Sequence, residues 1–437
     1  MNKLTVIGGG LAGCEAAYAA ANRGIEVELL EMKPAKKTAA HKSDSLAELV
    51  CSNSLKASRV DSAAGLLKEE MRRLGSVCLA AADRSAVAAG GALAVDRDIF
   101  SKLITEKIKN HPNITVTEGL ATEIPQSGVT VIATGPLTDD KLAEKLAGLC
   151  EGGNLSFYDA AAPIVTAESL DMSKAFFASR YDKGGDDYIN CPMNKEEYTA
   201  FYHELINAES AALHGFDKAP NVYEGCMPIE VLAKRGEDSI RFGPLKPVGL
   251  RDPRTGHRPW AAVQLRRENA AATLFNIVGF QTNLKFSEQK RVFSMIPGLE
   301  NAEFMRYGVM HRNTFINSPK LLNRNLSLKA DKNIFIAGQL SGVEGYMESA
   351  ASGIIAGINA AAEITGEKPL VLPETTMTGA LLSYITNPLT ENFQPMGANF
   401  GIIPPLEAHI RDKRERYAAL AARALGILAE NIKTEEI

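Results

Sequence analysis

Long apolar runs are missing from this 437-residue chain. No stretch approaches the roughly 18 uninterrupted apolar residues that a membrane-crossing helix needs, so no such span and no membrane partner is expected. The first expected strand begins at residue 3, which leaves no room for a signal peptide and points to the cytoplasm. Six cysteines (Cys14, Cys51, Cys78, Cys150, Cys191 and Cys226) show neither C-x-x-C pairing nor zinc-ligand spacing. Reduced thiols are therefore expected, with no disulfide framework and no metal site. Internal repeats and low-complexity linkers are also lacking. Net charge is −4, which argues against a general nucleic-acid binder. An apolar content of 45% with 23% charged residues is ordinary for a soluble globular protein. The length suits two or three domains, each able to bury a core.

What is present begins at once. Lys3-Leu4-Thr5-Val6-Ile7 has strand character, and Gly8-Gly9-Gly10-Leu11-Ala12-Gly13 follows it directly. An Ala-rich helical stretch runs to about Arg23, and a second strand over residues 25–30 ends at Glu31. Strand, Gly-x-Gly-x-x-Gly, helix, strand, acid is the order of a dinucleotide-binding unit. Gly8 permits the tight turn, Gly10 lets the backbone approach a pyrophosphate, and Gly13 lets helix and strand pack closely. Unpaired N–H groups of Leu11 and Ala12 at the helix start suit phosphate oxygens, and Glu31 suits a ribose 2′-OH. The simpler reading, a Gly-rich turn, does not explain that order. A carboxylate at position 31 disfavours a 2′-phosphate, so FAD or NAD fits better than NADP.

Two later segments return to the same domain. Residues 129–136 read as a buried strand ending in Ala133-Thr134-Gly135. Residues 333–337 read as another, ending at Gly338-Gln339, with a Gly-rich turn leading into a helix over 348–362. A late strand–Gly–helix unit aims a helix N-terminus at a flavin, which favours FAD over NAD. Many flavoproteins carry an Asp after that Gly, where Gln339 stands here. No second Gly-x-Gly-x-x-Gly follows a strand, which disfavours a two-nucleotide disulfide reductase. The expected fold is α/β: a Rossmann-type FAD-binding domain, residues 1–155 and 326–437, with an inserted α+β domain over 156–325. A charged amphipathic helix is predicted from about Glu407 to the end.

The insert carries most of the chain's local positive charge. Residues 234–267 hold nine Lys/Arg against three acids, and residues 306–329 hold five with none. A solvated face is the simpler reading; two such stretches in an acidic protein also suit a polyanion, with Arg254 and Arg258 as candidate contacts. Trp260, beside them, reads either as a core residue or as a stacking platform for an extruded base. Of the thiols, Cys226 precedes Met227-Pro228 and an expected helix start, where the dipole lowers a thiol pKa, with Lys234 and Arg235 near in sequence. Cys51 falls near the end of an expected short helix, without cationic help. On residues alone an inert buried thiol is the simpler reading for each.

The sequence resembles the TrmFO family of bacterial folate- and FAD-dependent tRNA (uracil-5-)-methyltransferases and, more distantly, the GidA flavoproteins that modify the tRNA wobble uridine. The likeness covers essentially the whole chain. It is carried by residues 6–13, Leu49-Val50-Cys51-Ser52-Asn53-Ser54-Leu55-Lys56, Val95-Asp96-Arg97-Asp98, and residues 223–228, 241–250, 337–346 and 393–401. Gly397 stands where the family pattern leads one to expect Asn. The resemblance implies methylation of C5 of uridine 54 in the tRNA T-loop. Methylenetetrahydrofolate would supply the carbon, reduced FAD would act as carrier and reductant, and NAD(P)H would be the co-substrate. It also implies two catalytic cysteines, Cys51 and Cys226. Helix-start context makes Cys226 the C6 nucleophile and leaves Cys51 as the proton-transfer partner, although the reverse order also fits the sequence. Tyr346, with Glu344 in reach, is the candidate for folate stacking. An NAD(P)H-dependent flavin oxidoreductase, a GidA-like wobble-uridine modifier and a flavin-stabilised RNA-binding scaffold are the competing readings.

Overall fold

A computed structural model describes residues 3–38, 40–148, 155–160, 162–182, 185–211, 227–308, 310–390 and 393–433. Its first layer is a five-stranded sheet in the order Ile334–Ile336, Val129–Ile132, Lys3–Ile7, Glu26–Glu31 and Ile114–Glu118, with every neighbouring pair parallel. Leu4 and Val6 of the central strand are fully buried. Continuous apolar strands of this kind need cover on both faces.

The helix Leu11–Ala21 supplies part of that cover, and ten of its eleven residues are buried. The helix Tyr346–Thr365 lies against it at backbone contact. A Cβ on Gly353 would sit 2.2 Å from Ala12 O, and one on Gly357 would sit 2.3 Å from Ala16 O. Small residues four apart thus clamp the first and last units of this domain together, although more than 300 residues separate them in the chain. That helix starts at Tyr346, two residues before the predicted start, with Gly345 as its N-cap. The terminal helix runs Lys413–Lys433 and begins later than predicted. Asp412 explains the difference, because its Oδ1 accepts from Glu415 N (2.8 Å) and caps the helix there. Among the described residues no helix is long and apolar enough to cross a membrane.

A second sheet has six strands in the order Phe176–Phe177, Tyr188–Met193, Ala261–Arg267, Leu274–Ile277, Ile164–Thr166 and Phe304–Arg306, all paired antiparallel. The helices Lys195–Asn207 and Phe286–Phe293 close a core of their own against it, with Phe201, Phe280 and Phe293 buried. The chain returns to the first core with Phe315, Ile316 and Leu322. Trp260 packs against the second core, and the Arg241 guanidinium lies 3.8 Å from its ring centroid. Trp260 is half-buried, and that contact covers one face of its ring.

Candidate active site

A cleft of about 1080 Å³, counted out to its mouth, opens at the C-terminal ends of the parallel strands. Ligands bind at this edge of such sheets because the helix N-termini point into it. Its lining brings together Gly8, Gly9, Gly10, Leu11, Ala12, Glu31, Gly338, Gln339 and Tyr346. Gly13 is not in the lining; it stands behind the turn, where a Cβ would fall 1.7 Å from Gly8 O. Gly8 adopts φ +102°, and a Cβ there would meet Ala133 O at 2.7 Å, so this turn requires glycine. Gly10 is different. A Cβ on it would find no protein atom within 4 Å, so the cleft in front of it is open to a ligand.

The cleft suits a dinucleotide on further grounds. Neither Gly10 nor Gly345 offers a side-chain cap to the helix it starts, which leaves first-turn N–H groups for phosphate or flavin oxygens. Glu31 is buried in the wall, with Oε2 accepting from Gly9 N (2.6 Å) and Oε1 from Lys33 N (3.0 Å). A carboxylate pinned in this way keeps lone pairs for ribose hydroxyls. At the other end Gln339 Nε2 donates to Glu344 Oε2 (2.8 Å), and Gly338 N donates to Ser352 Oγ (2.8 Å). Glu344 itself is buried and lies outside the lining residues.

Cys51 stands beside this cleft, adjoining Val50 of the lining. The expected short helix before it is absent; residues 45–53 form an irregular loop. Hydrogen bonds from all sides hold that loop. The Tyr346 hydroxyl oxygen accepts from Cys51 N (2.7 Å) and Ser52 N (3.2 Å), and burial pushes its phenol upward. Arg97 donates to Leu49 O (2.6 Å) and Cys51 O (3.4 Å), while Arg306 donates to Val50 O. Arg266 donates to Asn53 Oδ1 (3.0 Å) and Ser52 Oγ (2.8 Å). Asn53, fully buried, donates to Val95 O (3.0 Å) and Arg267 O (2.9 Å).

The reading that Cys51 lacks cationic help is therefore overturned, since three guanidinium groups surround its loop. The same observation corrects the view of the basic stretches as surface, because Arg266 is only 7% exposed and Arg306 is half-buried. Sequence reasoning missed Arg97, Arg266, Arg306 and Glu268 as site residues. The only local sign was Val95-Asp96-Arg97-Asp98. Asp96 Oδ1 accepts from Asp98 N and Ile99 N (both 3.1 Å), starting the helix Arg97–Lys109 so that Arg97 reaches the loop.

The remaining candidates lie elsewhere or outside view. Arg254 grips Asp252 with two donors (3.0 and 2.8 Å) and also donates to Ser173 O (3.0 Å), while Arg258 is exposed. Neither appears among the contacts of the Cys51 loop. Cys226 lies outside the described residues, as do residues 223–225. The chain is described again from Met227, and Pro228 caps the short helix Ile229–Ala233. Cys150 also lies outside them, and Cys14, Cys78 and Cys191 are buried.

Residues 3–368 match the family described as GIDA, Glucose inhibited division protein A. A protein of Lactobacillus gasseri named Methylenetetrahydrofolate--tRNA-(uracil-5-)-methyltransferase TrmFO is 57% identical, over 100% of this chain and 99% of that one. The protein of the same name in Acetivibrio thermocellus is 58% identical over 98% of each. Among solved structures, Aquifex aeolicus GidA in its form I crystal superposes with a TM-score of 0.69 at 18% identity, covering 98% of this chain and 76% of that one. This last likeness concerns the fold: a mixed α/β flavoprotein with a parallel sheet. Near-complete coverage at such identity leaves one assignment, and the chain belongs to the TrmFO family within the wider GidA group.

Proposed function

We propose that this chain transfers the methylene carbon of methylenetetrahydrofolate to C5 of a tRNA uridine, that the target is uridine 54 of the T-loop, and that NAD(P)H supplies the reducing equivalents. The observation that carries the reading is the adjacency of a thiol loop to a dinucleotide cleft, with Tyr346 lining the cleft and binding the backbone of Cys51. FAD, when bound, supplies a one-carbon carrier and the two-electron reduction that turns a methylene into a methyl group. The open backbone at Gly10 and the N–H groups of Leu11 and Ala12 would hold its phosphates. Glu31 would hold the ribose, and Gly338, Gln339 and the start of Tyr346–Thr365 would meet the flavin end.

The chain's own chemistry follows from the weakness of uracil C5 as a nucleophile. Cys226 Sγ adds to C6, and C5, now part of an enolate, attacks the one-carbon unit. Cys51 Sγ then takes the C5 proton, and the electron pair expels the nitrogen that carried the one-carbon unit, leaving an exocyclic methylene with Cys226 Sγ still on C6. Hydride added to that methylene completes the methyl group as Cys226 Sγ leaves C6 and the C5–C6 double bond returns. The ring of Tyr346 is the surface for the folate pterin, with Glu344 behind it. The insert over 156–325 meets the RNA, whose phosphates are served by exposed cations such as Arg251 and Arg258. Arg254 is already engaged by Asp252 and contributes less.

Denaturation-resistant adducts with a T-loop RNA carrying 5-fluorouridine test this scheme, because fluorine at C5 cannot leave as a proton does. Cys226→Ala is expected to form no adduct and Cys51→Ala to form one, each with its flavin retained. An adduct in Cys226→Ala and none in Cys51→Ala would reverse the two roles. No adduct with any protein, wild type included, would remove the thiol-addition mechanism.

A further inference from the structure

The loop 49–53 is held by more positive charge than its own hydrogen bonds require. Leu49 O, Val50 O and Cys51 O receive Arg97 and Arg306, and Ser52 Oγ receives Arg266. Three neutral carbonyls and a hydroxyl can be satisfied by neutral donors, at no cost in buried charge. Instead three guanidinium groups are gathered here, and among the described residues Glu268, ion-paired to Arg97, is the carboxylate that pairs with them. Burial presses Arg266 and Arg306 below their ordinary values, and the nearby Arg97 charge presses Arg306 further. Such a cluster is expensive unless an anion compensates it. Cys51 lies within electrostatic reach of Arg266, Arg306 and Tyr346.

We propose that Arg306, together with Arg97 and Arg266, is a positioning residue: it fixes the Cys51 loop and supplies the field that keeps the Cys51 sulfur as a thiolate. The inference deepens the proton-transfer role given to Cys51 and rests on that reading for its use in catalysis. Charged and titratable groups face the loop from several elements: Glu48, next to Leu49, is paired with Lys33, Tyr188 faces Arg266, and the Asp96 carboxylate accepts from Ala270 N, Asp98 N and Ile99 N. Arg97 comes from the helix Arg97–Lys109, Arg266 and Glu268 from the strand Ala261–Arg267 and the residue after it, Arg306 from Phe304–Arg306, and Tyr346 from the helix Tyr346–Thr365. Tyr346 keeps its proton, because burial raises it, and so brings no negative charge. One carboxylate cannot neutralise three guanidinium groups, and the excess favours the ionised thiol. Two of the three arginines belong to the six-stranded sheet, while Cys51 belongs to the cleft. The inserted sheet thus tunes a thiol on the other body.

The holoenzyme, alkylated with iodoacetamide between about pH 5 and about pH 10 and mapped by peptide mass spectrometry, tests this directly, since only thiolate reacts. The Cys51 profile is expected to have its midpoint about one unit or more below the ~8.5 of a free thiol. Arg306→Gln should raise the midpoint by about one unit, a tenfold loss of reactivity at low pH, and Arg306→Lys should restore most of it. Lys102→Gln, on the outer face of the same helix as Arg97, should leave it in place. A wild-type midpoint at or above that of a free thiol overturns the proposal whatever the variants do. So does a midpoint that stays put in flavin-loaded Arg306→Gln, since the arginines would then be struts alone. Methyl transfer by Cys51→Ala separates the two claims. Normal transfer with a low midpoint would sink the catalytic use of Cys51 and leave its electrostatics standing; lost transfer with an ordinary midpoint would do the reverse.

Discussion

At Gly10 a single hydrogen in place of a side chain separates a ligand site from a filled turn. Because no protein atom lies within 4 Å of a Cβ there, Gly10→Val should fold normally and lose its flavin. Gly13→Val should fail to fold, since its Cβ would collide with Gly8 O at 1.7 Å. Flavin absorbance per mole of purified protein, read beside circular dichroism, distinguishes the two; retained flavin in folded Gly10→Val would contradict the cleft assignment. These glycines and Glu31 were legible in the sequence because their roles are set by local backbone geometry within a few residues. The neighbours of Cys51 were not. Arg97, Arg266 and Arg306 reach atoms 46, 214 and 256 residues away in the chain. In the sequence Arg266 and Arg306 sit in runs of like charge, which resemble a solvated face, and Arg97 sits between two aspartates; only folding brings them to the loop. Cys226 was marked as catalytic by the family resemblance, with its helix-start context choosing the nucleophile role, and that role rests on the same two grounds.

Among the helices, Ala63–Arg73 shows how a charged sequence can be a core element. Its outer residue Glu69 pairs loosely with Arg72 and Arg73 at the surface (3.8 and 3.5 Å). One step round, Glu70 is fully buried and caps the helix Met377–Thr386, accepting from Met377 N (2.7 Å), Thr378 N (2.8 Å) and Thr378 Oγ1 (2.7 Å). Burial raises its carboxyl while these three donors work to lower it. Glu70→Ala strands the donors inside the protein and should cost about 2–4 kcal/mol. Glu69→Ala should cost under about 1 kcal/mol. Urea titration of the two variants checks the contrast, and equal losses would show that the buried cap contributes no more than the surface pair. The central strands and the two clamped helices were readable from apolar runs and glycines. This cap was not, because its partner lies 307 residues along the chain.

Two hydrophobic cores are stitched together at the Cys51 loop. Asn53 and Arg266 make one seam, Asp96 accepting from Ala270 N (3.0 Å) makes a second, and Tyr188 Oη donating to Ala89 O (2.9 Å) makes a third. Rossmann-type α/β architecture was apparent from the order of motifs, since each strand–Gly–helix unit announces itself locally; the insert was expected only as an α+β domain, and its antiparallel sheet comes from the structure. How the sheets meet was not, because the seams are single polar side chains without periodicity. The most direct measurement supplies methylenetetrahydrofolate labelled at the methylene carbon, tRNA and NAD(P)H to the flavin-loaded protein, then locates the label by nucleoside mass spectrometry. Label in 5-methyluridine at position 54, absent when flavin or folate is withheld, is the predicted result. Unlabelled tRNA alongside continuing oxidation of NAD(P)H would contradict it and leave a flavin oxidoreductase.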